Sequence, residues 1–118
     1  MSKHTEGPWA VEADPMDDRD YETMIVLPNK SGGFGTWIAR AEHNWNEASA
    51  GEHRISWAEA QANARLIAAA PELLEALEAT THEVESVIRL VSNLTVRDEM
   101  QAVADKARSA IAKATGAA

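Results

Sequence analysis

From Tyr21 to Leu27 the chain alternates, with Tyr21, Thr23, Ile25 and Leu27 on one side and Glu22, Met24 and Val26 on the other. A period of two is that of a half-buried strand, so a strand is predicted here. Pro28 to Gly35 is dense in turn formers and returns the chain into a second strand from Thr36 to Ala41, giving a hairpin. Upstream, Trp9 to Glu12 follows a Gly-Pro pair and reads as a first short strand, with the acidic stretch Asp14 to Asp20 as the turn after it. Ala41 to Ile55 is polar without a clear period and reads as a loop.

The period changes after Ser56. Ser56 followed by Glu59 makes a capping box, so a helix starts at Trp57. Pro71 cannot donate a backbone hydrogen bond and disfavours helical geometry at Ala70; the first helix ends or kinks there and a second begins. In that second helix Leu77, Val84 and Val91 recur every seven residues, interleaved with Leu74, Thr81 and Ile88, as an apolar seam. Ser92-Asn93 closes it. Thr95 with Asp98 repeats the capping signal before a third helix with Val96, Met100, Val103, Ala107, Ile111 and Ala114 as its stripe.

The predicted class is therefore α+β: a short antiparallel β unit in residues 1–56, then a helix and a long antiparallel helical hairpin in residues 57–118, within one compact domain. Helices of this length extend roughly 30 Å, more than so small a β unit covers. Apolar seam left exposed invites a second subunit, so a homo-oligomer built through the hairpin is expected.

Composition narrows the partners. Apolar residues make up 45% and charged residues 25% of the 118, which suits a folded globular domain. The net charge is -8, and both halves are acidic, which opposes bulk binding to nucleic-acid phosphates. There is no cysteine, hence no disulfide and no thiolate chemistry. The start of the chain lacks the apolar core of a signal peptide and no apolar run is long enough to span a membrane, so a cytoplasmic location is expected.

Catalysis needs a nucleophile, a base or a metal held by partners, and no such constellation stands out, so the expectation is a binding protein rather than an enzyme, without a cofactor. His4, His43, His53 and His82 include no pair at the helical spacing that places two imidazoles on one metal. Asp14, Asp17, Asp18 and Asp20 lack the alternating ligands of a calcium loop. Ser31-Gly32-Gly33-Phe34-Gly35 lacks the Gly-Lys-Ser/Thr of a phosphate loop.

Trp9, Trp37, Trp45 and Trp57 lie in or beside the β unit. They can be core, or Trp37 with Arg40, flanked by Trp45 and Trp57, can line a cleft where indoles stack a base and a guanidinium meets phosphate. Asn63 precedes Leu66, Ile67 and Ala70 at helical spacing, which puts an amide on an apolar stripe; it either ties the helix to backbone or touches a ligand. Trp37, Arg40, Trp57 and Asn63 are the candidate ligand-binding residues.

Two segments carry a resemblance: His4-Thr5-Glu6-Gly7-Pro8-Trp9, and the run from Ala62 through Asn63, Ala64, Arg65, Leu66, Ile67 and Ala68 to Leu77. Together they resemble a family of small tailed-phage and prophage proteins whose opening usually reads His-Thr-Pro-Gly-Pro-Trp; here Glu6 replaces the first proline. The resemblance implies a phage origin and, with it, residence in the host bacterium's cytoplasm. A β core followed by a helical extension also looks like the Thoeris anti-defence sponges, by architectural analogy. The function implied is sequestration of a nucleotide-derived immune signal without cleavage. The alternatives are an acidic inhibitor of a bacterial effector, of the DNA-mimic or anti-CRISPR type, and a phage assembly or regulatory adaptor.

Overall fold

A computed structural model describes residues 4–15, 21–29, 35–41 and 55–117. Strands β1 (Ala10–Pro15), β2 (Tyr21–Leu27) and β3 (Thr36–Ala41) precede helices α1 (Trp57–Ala68), α2 (Ala70–Ile88) and α3 (Leu94–Thr115). The α+β class is therefore as expected. The chain forms two compact units: one holds Glu6–Pro71, the sheet with α1, and the other holds the helices from Glu72 onward.

The sheet is antiparallel in the order β1-β2-β3. Being central, β2 is buried on both sides: Thr23, Met24, Ile25 and Val26 are all inside. The alternation had suggested one buried face, whereas Met24 and Val26, on the face away from α1, are covered as well. Helix α1 contacts all three strands. It turns Ala60, Ala64 and Ala68 inward, four residues apart on one side, and Ala64 and Ala68 pack with Ile25 and Ala41. Trp9, Ile38 and Ala39 complete that cluster.

The start of α1 is as the capping pattern predicts, with the Ser56 hydroxyl accepting from the Glu59 amide at 3.1 Å. Ala69 separates α1 from α2, one residue ahead of the position expected from Pro71. In the second unit α3 runs back along α2. Arg108 of α3 donates to the Glu85 carboxylate of α2, through Nε at 3.1 Å and through a second nitrogen, and Arg97 reaches the Arg89 carbonyl at 3.5 Å. The Arg108 hydrogen bond holds the Glu85 carboxyl below the usual carboxylate range, and the carboxylate in turn raises Arg108.

The hairpin differs from the prediction in two respects. Asn93, not Thr95, caps α3, its side chain accepting from the Thr95 amide at 3.0 Å and the Val96 amide at 3.2 Å. The inward side of α3 carries Met100, Ala104, Ala107, Ile111 and Thr115, so Val96, Val103 and Ala114 from the expected stripe face solvent. The predicted α2 seam is the covered one: Thr81 and Ile88 are buried, and Leu74, Leu77, Val84 and Val91 half-buried. Gly116 ends α3 in the left-handed region at φ 77, where glycine carries no side-chain penalty.

Candidate functional site

Pairing across the sheet decides which candidate residues share a face. Val26 lies opposite Trp37, Ile25 opposite Ala39 and Met24 opposite Arg40. The register slips between Ile25 and Val26, so Ile38 is the extra residue on β3. This bulge puts Trp37 and Arg40 on one face, although three positions apart they would straddle a regular strand. They share it with Met24 and Val26, opposite the face that Ile25 presents to α1. Because β3 is an edge strand, both side chains border solvent: Trp37 is 62% exposed and Arg40 is also exposed.

Such an arrangement has a chemical use. An exposed indole offers an apolar face for stacking, and a guanidinium nearby supplies hydrogen-bond donors with a fixed positive charge. Leaving so large an aromatic surface in water forgoes burial at about 25 cal/mol per Å².

The other two candidates lie elsewhere. Trp57 is half-buried at the first position of α1, in line with Ala60, Ala64 and Ala68, and thus on the side turned to the other face of the sheet. Asn63 is exposed, about a quarter turn from that line. The expected buried amide is therefore corrected: α1 packs through its alanines, and Leu66 and Ile67 of the anticipated stripe are themselves exposed. The four residues do not meet in one cleft. Trp45, His43, His53, Asp17, Asp18, Asp20 and Ser31 to Phe34 lie outside the described residues.

The N-terminal segment makes a contact that sequence reading did not find. A Cβ on Gly7 would lie 3.1 Å from the Cβ of Pro71, and Trp9, two residues on, packs into the α1 cluster. The two segments that carried the family resemblance thus lie against each other, and glycine at position 7 gives the close approach its room. Among the described residues, no group of three or more His, Cys, Asp or Glu side chains is placed to hold a metal ion. No helix among them is long and apolar enough to cross a membrane.

These features define a small α+β protein, a three-stranded sheet backed by one helix and followed by a helical hairpin. The family of Salmonella phage P22 protein Y8K6 matches residues 1–118, and the chain belongs to that family. A phage protein family is what the resemblance implied. Comparison with curated proteins and with solved structures gives no match.

Proposed function

We propose that this phage protein is a non-catalytic binder whose outer sheet face recognises a nucleotide-derived immune signal of the host and withholds it from its receptor. The observation that carries the reading is the exposed Trp37 beside Arg40 on one face of an edge strand. Stacking on one aromatic contributes about 1–3 kcal/mol per base, and an adjacent guanidinium adds a partner for phosphate. The overall acidity does not oppose this, because the field at a site is set by the nearest charges. Nothing in the mechanism requires a bond to break: the ligand is held by stacking and charge, and release is simple dissociation.

Thermal unfolding of the purified chain with cyclic dinucleotides, cyclic trinucleotides and cyclic ADP-ribose isomers tests the proposal. A ligand present at 100 times its Kd adds about 2.7 kcal/mol to stability. The expected result is such a shift with one class of ligand, lost in Trp37→Ala; no shift with any of them rejects the reading.

A second reading rests on α2, which holds five glutamates and no lysine or arginine. An acidic helix suits the basic groove of a nucleic-acid-binding effector. Capture of a basic host protein, released by moderate salt, would favour that inhibitor over a sponge.

A further inference from the structure

The hairpin's exposed apolar residues form a second stripe, distinct from the covered seam. On α2 they are Leu73 and Val87, with Leu90 in the turn that follows; on α3 they are Leu94, Val96 and Val103. Leu90 is 82%, Leu94 68% and Val103 63% exposed. Leu73, Thr80 and Val87 are spaced by seven, and so are Val96, Val103 and Ala110. At 3.6 residues per turn, both sets stand on the side of the hairpin away from the Glu85–Arg108 pair. One side of the hairpin is thus clasped by charge, and the other is a continuous apolar face.

We propose that a second copy of this chain covers that face, two hairpins forming a four-helix bundle with their connecting loops at the same end. Charge selects the pairing. Beyond the apolar stripe, the outer margin of α2 carries the exposed Glu83, and that of α3 carries the exposed Glu99 near the loop and the exposed Lys106 and Lys113 farther along. The Glu85–Arg108 pair sets the axial level, and on it Glu83 falls alongside Ala110, between the two lysines. When α2 of one copy faces α3 of the other, opposite charges flank the seam; α2 against α2 would oppose glutamates.

Side-chain size agrees with this pairing. The large residues Val87, Leu90, Leu94, Val96 and Val103 gather toward the loop end, where Leu90 and Val103 share a level across the pair. Farther along, the face narrows to Ala76, Thr80, Ala110 and Ala114 before Leu73 at its far end, and the small residues permit close approach of the helices. A two-fold axis along the bundle repeats every contact, so the surface is self-complementary.

The chain has no cysteine, which makes the test clean. Light scattering of the full chain at about 10 µM, within the range of a stable self-association, is expected to give twice the chain mass. Val103→Glu, placing a charge in the seam, is expected to weaken association by on the order of 30-fold or more. Its helical circular dichroism should be retained; if that variant does not fold, Leu90→Glu serves the same purpose. Mild oxidation of a mixture of Leu90→Cys and Val103→Cys chains should link unlike chains, whereas neither variant alone should cross-link. A monomeric mass for the parent chain, or a folded Val103→Glu that stays dimeric, overturns the proposal. Cross-linking of Val103→Cys alone overturns the α2-to-α3 pairing.

Discussion

Thr23 is wholly buried, and its hydroxyl oxygen has no hydrogen-bond partner among the described residues. Desolvating a hydroxyl without compensation costs stability, so Thr23→Val is expected to be neutral or to stabilise by up to about 1 kcal/mol in urea unfolding. Gly35 is the opposite case. A Cβ there would drive into the Leu27 carbonyl and lie 3.0 Å from a Val26 methyl, and backbone cannot yield as a flexible side chain can. Gly35→Ala should destabilise by about 1–3 kcal/mol, measured the same way. Gly35, the last of the glycine-rich stretch, is required for close approach rather than for a positive φ. Asn63 was misplaced because the largest apolar neighbours suggested the buried side. A helix lying close on a sheet can instead turn its smallest residues inward, and α1 buries Ala60, Ala64 and Ala68.

At the scale of elements, β2, β3 and the start of α1 could be read directly, since each rests on a local signal: alternation, turn chemistry and a serine cap. The third helix was harder. Asn93 and Thr95 are both good N-cap residues, and nothing local decides between them; Asn93 satisfies two amides at once. Asn93→Ala should therefore cost about 1 kcal/mol of stability, more than Thr95→Ala, in thermal unfolding. The Glu85–Arg108 pair could not be read from a separation of 23 residues, because it depends on how the hairpin closes. Its effect on pH dependence has a definite sign. A carboxyl held below its unfolded value adds stability at neutral pH that is lost as pH falls through the ordinary carboxylate range to the lower folded value. Glu85→Gln should flatten that acid limb of the stability profile, by a small amount because the pair is exposed to solvent.

At the scale of the molecule, the division of labour is between a sheet unit that presents an indole and a guanidinium and a hairpin that presents an apolar face. The β-then-helix layout was evident from composition and period. The face proposed for recognition was not, because it depends on a one-residue bulge that moves Trp37 and Arg40 to the same side of β3. The central claim is that this pair holds a nucleotide-class ligand. The most direct measurement is titration calorimetry of the parent chain and of Trp37→Ala with the cyclic nucleotide panel, both checked for unchanged unfolding in the absence of ligand. Saturable binding by the parent, weakened at least tenfold in Trp37→Ala by loss of about 1.4 kcal/mol or more of stacking, is the predicted result. Equal binding by both chains, or no heat of binding from any member of the panel, would contradict it.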